Sequence, residues 1–165
     1  MRSPGGRASG SGSPARGYDS LATAPEGIVR RMSFDIVRAD GAAYEERPGH
    51  EGQEPRLSAD VTVPANLTDS RARLWRYPAH TRGRRHMDHG QEEVFVCLRG
   101  TLTMLLGEPP QRVDLKPGDL AAVHRDTPMQ ARNEADEEVL FFAYGAPPVT
   151  GNAEFLDDVV DAPPA

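Results

Sequence analysis

The side chains best suited to chemistry lie close together, between residues 86 and 93. His86, His89 and Glu93 place two imidazoles and a carboxylate at the entry to a strand-like apolar run. Imidazole and carboxylate together suit one divalent ion, such as Fe, Mn, Zn or Ni, and a histidine beside a glutamate is also an acid–base pair. Residues 89 and 93 share a face on an extended strand. We therefore predict an acid–base pair of His89 and Glu93, with His86, His89 and Glu93 as candidate metal ligands and a metal-free site as the alternative.

Each of these residues also has a purely structural interpretation. Glu93 could form hydrogen bonds inside a pocket without metal, and His89 could simply be its partner. His86 has the opposite parity to Glu93, so it reaches the same side only through a bulge, and an exposed loop position is favoured for it. Met129 is a soft ligand in principle, but a methionine usually fills an apolar gap.

Short apolar runs separated by turn residues dominate the chain from residue 57 onward. Several strands of about 4–8 residues without a long helical pattern indicate an antiparallel sandwich or barrel. Alternation places Glu93, Phe95 and Cys97 on one face of their strand, and the opposite face is also apolar, so both faces are expected to be covered. The predicted strands are Leu57–Val63, Arg71–Tyr77, Glu92–Leu98, Leu102–Leu106, Arg112–Leu115, Leu120–Val123, Met129–Asn133 and Val139–Tyr144.

The rest of the chain divides by composition. Residues 1–31 are rich in Gly, Ser, Pro and Arg, so they are expected to be a disordered tail; both Met1 and Met32 suit a start codon. Residues 32–56 are expected to lead into the barrel, with a strand at 33–38 and a surface loop at 39–55. The barrel is predicted to span residues 57–146, followed by an acidic tail at 147–165 that contains a short docking turn.

Composition excludes several classes of protein. A formal net charge of −6 disfavours a nucleic-acid-binding surface. The chain has 1 cysteine, Cys97, which excludes an intrachain disulfide and a cysteine-based metal site; it is expected to be buried and unreactive. No apolar stretch approaches the roughly 18 residues of a membrane helix, and no signal-peptide pattern is found. The sequence therefore predicts a cytoplasmic protein.

The two motif regions of the chain resemble those of the cupin superfamily. The first family motif is Gly, five residues, His-x-His, three or four residues, Glu, six residues and Gly; Glu93 and Gly100 match it, and His89 falls on its second histidine. The second is Gly, five residues, Pro-x-Gly, two residues, His, three residues and Asn; Gly118 and Asn133 match it at the full spacing. The resemblance covers residues 74–142.

Other motif positions depart from the family pattern. Met87 stands at the first histidine and Met129 at the third, so two of the four family metal positions hold methionine. His124 and Asp126 replace the proline and glycine of the second motif. These departures predict a degenerate metal site of weak affinity.

The resemblance implies an all-β, single-domain cupin-type antiparallel barrel (a double-stranded β-helix, or jelly roll) and a homodimer. We expect a small-molecule ligand, with no nucleic-acid or membrane partner. Three functions remain open: a metal-dependent oxygenase or isomerase with a His-His-Glu site, a metal-free acid–base enzyme, and a non-catalytic sensor or carrier. The pocket is predicted to be lined by Trp75, Tyr77, Phe95, Met129, Gln130 and Phe142.

Overall fold

The computed structural model describes residues 34–149, 151 and 153–160. These residues form eleven strands and one short 3-10 helix, Ala39–Gly41. No helix in this part of the chain is long and apolar enough to cross a membrane. The strands are β1 (Tyr44–Arg47), β2 (Arg56–Asp60), β3 (Arg71–Tyr77), β4 (His86–Asp88), β5 (Glu92–Arg99), β6 (Leu102–Leu106), β7 (Gln111–Leu115), β8 (Leu120–Val123), β9 (Met129–Arg132), β10 (Val139–Ala146) and β11 (Ala153–Phe155).

Two antiparallel sheets face each other across one core. The six-stranded sheet has the order β1-β2-β3-β10-β5-β8, and the five-stranded sheet has the order β11-β4-β9-β6-β7. Core side chains come from both sheets, among them Phe95, Phe141, Met104 and Leu115. Two facing sheets of short strands are the predicted all-β jelly-roll barrel, so the fold prediction is confirmed.

The turn between β5 and β6 shows how one motif residue fixes the fold. Gly100 adopts a φ of +79°, which is unfavourable for any residue with a side chain. A Cβ there would also lie 3.0 Å from the backbone oxygen of Glu138. Glycine is therefore needed at this motif position both for the turn and for the close approach of the neighbouring chain.

The amino-terminal part of the barrel differs from the prediction. Residues 34–38 contain no strand, although their alternation predicted one. The strand of this region is β1, inside the segment predicted to be a surface loop, and it pairs with β2 from Tyr44↔Ala59 to Arg47↔Arg56. Pairing with β2 decides the structure here, and local alternation does not reveal it. The predicted disorder of residues 1–31 lies outside the described residues.

Two further short strands were missed by the sequence analysis. β4 lies in the segment before β5, and β11 lies in the predicted acidic tail, where a docking turn was expected. The two strands pair with each other from Ala153↔Asp88 to Phe155↔His86. Three residues are too few for a recognisable alternation, so only tertiary pairing defines these strands.

Part of the outer face of the six-stranded sheet is exposed within a single chain. Leu98 on β5 is 43% exposed, and Leu120 on the edge strand β8 is 61% exposed. The cover of this apolar face is expected from a homodimer, which stays a prediction.

Cys97 gives a first testable prediction. Its side chain is fully buried in the core, and burial raises the pKa of its thiol. Both effects withhold the reactive thiolate from solvent. We expect a thiol reagent to label the native protein about 100-fold or more slowly than the denatured protein, because labelling must wait for opening of the core. Equal labelling rates in the native and denatured states would contradict this placement.

Candidate functional site

A cavity of about 850 Å³ opens between the two sheets. Its apolar walls are largely aromatic, since alternation along β3 and β10 points every second side chain inward. The ring of Trp75 stacks on Phe141, with centroids 6.4 Å apart and planes 14° apart. The apolar lining is Trp75, Tyr77, Phe95, Met129, Ala131, Phe141 and Ala143.

The charged lining of this cavity is mainly cationic. Five guanidinium groups border it against two carboxylates, although the whole chain carries a formal net charge of −6. A concave site lined by one sign of charge concentrates its field and attracts ligands of the opposite sign. The groups are Arg47, Arg56, Arg71, Arg73, Arg84, Asp88 and Glu93.

Glu93 lies at the centre of a polar network at one end of the cavity. Its Oε2 lies 3.4 Å from Nε2 of His86, and its Oε1 accepts a hydrogen bond of 3.0 Å from Nε2 of Gln91. Gln91 is buried, and its Oε1 accepts a hydrogen bond of 3.0 Å from Nε of Arg71. Arg71 also lies 3.9 Å from the carboxylates of Glu93 and Asp88. These contacts offset the free-energy cost of moving the Glu93 carboxylate out of water.

His86 contacts a backbone carbonyl through Nδ1 and faces Glu93 through Nε2. Nδ1 of His86 lies 3.1 Å from the backbone oxygen of Arg84. A carbonyl only accepts, so Nδ1 carries a hydrogen. Burial on its own would lower the pKa of His86, but the contacts with Glu93 and with the Arg84 carbonyl outweigh it and raise that pKa.

The predicted pairing of His89 with Glu93 is wrong. The ring of His89 lies half-exposed outside the cavity, with Nδ1 2.6 Å from Asp126 and Nε2 3.1 Å from Glu154. The chain turns after Asp88, whose Oδ1 accepts hydrogen bonds from the amides of residues 90 and 91. That turn separates β4 from β5 and breaks the alternation on which the prediction relied.

The comparisons with known proteins agree with this architecture. Residues 73–144 match the family model described as a cupin domain. The chain therefore contains a cupin domain over these residues. Among solved cupin structures, a sugar phosphate isomerase from Silicibacter pomeroyi is 20% identical, with a TM-score of 0.57 over 67% of this chain and 74% of that one. The polyketide cyclase RemF from Streptomyces resistomycificus is 14% identical, with a TM-score of 0.59 over 76% and 87% of the two chains.

A further match is a protein with a double-stranded β-helix domain from Klebsiella pneumoniae. It is 20% identical, with a TM-score of 0.59 over 74% of this chain and 97% of that one. No curated protein sequence matches the chain significantly. Identities this low show a shared fold and leave the reaction and ligand of this cupin open.

The first cupin motif allows three or four residues between its second histidine and its glutamate, and the spacing of four agrees better with the structure. His86 and Asp88 line the cavity, whereas Met87 and His89 do not. With four residues before the glutamate, His86 and Asp88 occupy the two histidine positions, while Glu93 and Gly100 keep theirs. The sequence analysis favoured an exposed loop position for His86. The spacing of four residues would have indicated instead that His86 lies at a motif position and faces the cavity.

The described side chains do not fit the divalent metal site predicted from the sequence. Among the described residues, no group of three His, Cys, Asp or Glu side chains is arranged to hold a metal ion. His89 points away, and Met129, which pairs with His86 across β9 and β4, is a thioether at a histidine position. The predicted triad of His86, His89 and Glu93 is therefore not assembled.

The predicted pocket residues divide into two groups. Trp75, Tyr77, Phe95 and Met129 line the cavity, and two others do not. Phe142 packs on the outer face, because its neighbour Phe141 takes the inward position. Gln130 is fully buried and donates hydrogen bonds of 2.8 Å to the backbone oxygen of Gly83 and to Asp158. Its amide positions loops of the barrel.

Proposed function

We propose that this chain is a small-molecule-binding cupin whose ligand lies between Trp75 and the pair formed by His86 and Glu93. The observation that carries the proposal is the partly buried pair of His86 and Glu93 in an aromatic cavity. Volumes of about 300–1,000 Å³ with a few convergent polar groups are typical of ligand pockets. The cavity of about 850 Å³ falls within that range.

The contact of His86 with Glu93 favours acid–base catalysis as a second candidate. His86, whose Nε2 lies 3.4 Å from Glu93, can give a proton to a bound ligand and take it back, which suits an isomerisation, cyclisation or dehydration. Solved cupins named as a sugar phosphate isomerase and a polyketide cyclase show that the fold serves different reactions. A sensor or carrier would use the same cavity without turnover.

Ligand binding can be tested with the fluorescence of Trp75, the only tryptophan in the chain. A panel of small carboxylates, phosphates, sugars and neutral aromatics is expected to contain compounds that change this fluorescence saturably. Ala143→Leu enlarges a side chain in the cavity wall. Binding of these compounds should weaken about tenfold or more, because the leucine side chain occupies space that the ligand needs and the packed wall cannot move aside without cost.

Ala122→Leu is the matched control, since Ala122 is exposed on β8 and does not line the cavity. Binding should be unchanged in this variant. Compounds that bind equally well to the wild type and to Ala143→Leu would place the ligand elsewhere and contradict the proposal.

A further inference from the structure

Arg56 is a buried cation without a counter-charge. It is only 8% exposed, and its Nη atoms donate to Oη of Tyr77 at 3.1 Å and to the backbone oxygen of Pro48 at 2.9 Å. Among the described residues it forms no ion pair, and its buried Nε has no hydrogen-bond partner. Burying an unpaired charge is costly, so a partner for this guanidinium is needed from elsewhere.

Two more arginines of the cavity lie on the neighbouring strands. Arg47 and Arg73 both donate to Oγ of Ser58, at 2.9 Å and 3.4 Å. Arg47 is also the direct cross-strand partner of Arg56, and like charges in that position repel. These three guanidinium groups, from β1, β2 and β3, are called the arginine cluster below.

The carboxylates near the arginine cluster are already engaged. Glu45 forms an exposed ion pair of 3.0 Å with Arg47. The exposed Asp60 interacts with Arg73 at longer range, but its oxygens accept hydrogen bonds from the amides of Thr62 and Val63. Neither carboxylate lines the cavity, so the cluster faces the cavity with excess positive charge.

The two carboxylates that do line the cavity are engaged with other partners. Glu93 is engaged with His86, Gln91 and Arg71, and Asp88 with backbone amides. The arginine cluster borders the aromatic wall, because the Arg56 guanidinium lies 5.7 Å from the centre of the Trp75 ring and Arg73 precedes Trp75 on the same face of β3. A ligand packed on the Trp75 ring would present its charge to the arginine cluster.

We propose that the arginine cluster binds the anionic group of the ligand, and that the ligand is a carboxylate or phosphate attached to a flat apolar body packed on Trp75. This inference rests on the proposed function and names its ligand class. The planar guanidinium fork matches both anions and binds them with two parallel hydrogen bonds. The aromatic wall accounts for the flat apolar part.

The test compares three small aromatic probes by calorimetric titration of the full chain. Benzoate and phenyl phosphate carry the charge, and benzamide is the neutral analogue of benzoate. Whichever of the two anions binds more tightly should have a dissociation constant about tenfold or more below that of benzamide. Hydrogen bonds between two charged groups are stronger than those of a neutral amide. Tighter binding of benzoate assigns the carboxylate class, and tighter binding of phenyl phosphate assigns the phosphate class.

Variants of the cluster separate charge recognition from simple occupancy. Arg56→Gln should weaken the anion about tenfold or more and leave benzamide unchanged. Arg73→Gln is less buried, so it serves as a second variant if Arg56→Gln fails to fold, and a similar loss is expected. Arg99→Gln is the control, because Arg99 is exposed outside the cavity and pairs with Glu138.

The outcomes distinguish the two levels of the proposal. If neither the anions nor benzamide bind, the proposed function itself is contradicted for ligands of this size. If benzamide binds as tightly as both anions, or if neither cluster variant weakens anion binding, only the inference about the anion is overturned. Binding lost equally in Arg99→Gln would also overturn it, since that result would indicate a general charge effect.

Discussion

Phe141→Ala should lower the free energy of unfolding by about 3–5 kcal/mol. Phe141 is 1% exposed and lies at the centre of the aromatic wall, in ring contact with Trp75, Tyr77 and Phe95. Truncation removes a buried ring and leaves a space that the surrounding strands cannot fill without moving. Urea unfolding of the two proteins, followed by circular dichroism, gives the difference directly.

Phe34→Ala is the matched control for that measurement. Phe34 is an exposed phenylalanine of the same chain, so the same truncation should cost less than about 0.5 kcal/mol. A loss below about 1 kcal/mol in Phe141→Ala would show that this ring does not hold the wall together.

Glu93→Gln should destabilise the protein by about 2–3 kcal/mol at pH 6. The substitution removes the carboxylate that faces His86 and Arg71, and both cations then lose charge-assisted contacts. The pKa of His86 should fall in the variant, because burial continues to lower it while the Glu93 contribution is gone. Proton NMR of the His86 ring across a pH series measures this change.

The pH dependence has a definite sign. The folded protein holds the pKa of His86 above its usual value of about 6.5. The stabilisation from this contact is therefore complete below about pH 6.5 and is lost as the pH rises through the folded pKa of His86. The cost of Glu93→Gln should be larger at pH 6 than at pH 9.

His89→Ala serves as the control for this pair. His89 contacts Asp126 and Glu154 outside the cavity, so its removal should leave the pKa of His86 unchanged. A His86 titration that shifts in His89→Ala and stays constant in Glu93→Gln would restore the sequence-based pair of His89 and Glu93 in place of the observed one.

The fold was predictable because its main signals are local. β3, β6 and β8 have the boundaries predicted from their apolar runs, and Gly100 and Gly118 adopt the positive φ that their motif positions require. The strands that were missed, β1, β4 and β11, are three or four residues long and are defined by their pairing with other strands. Alternation cannot identify such strands.

The candidate site was less predictable, because one turn decides which histidine meets the glutamate. A continuous strand from residue 89 to residue 93 would have paired His89 with Glu93. The turn that Asp88 stabilises moves His86 into the cavity and His89 out of it. The arginine cluster was invisible for a different reason: Arg47, Arg56 and Arg73 are distant in sequence and meet only through the register of β1, β2 and β3.

The most direct test of the account is a crystal structure of chelator-treated protein with benzoate or phenyl phosphate, whichever binds more tightly. The account predicts the ring of the ligand against Trp75 and its anionic group within about 2.7–3.2 Å of the guanidinium of Arg56. A ligand bound outside the barrel, or one held in the cavity by a metal ion on His86 and Glu93, would contradict it.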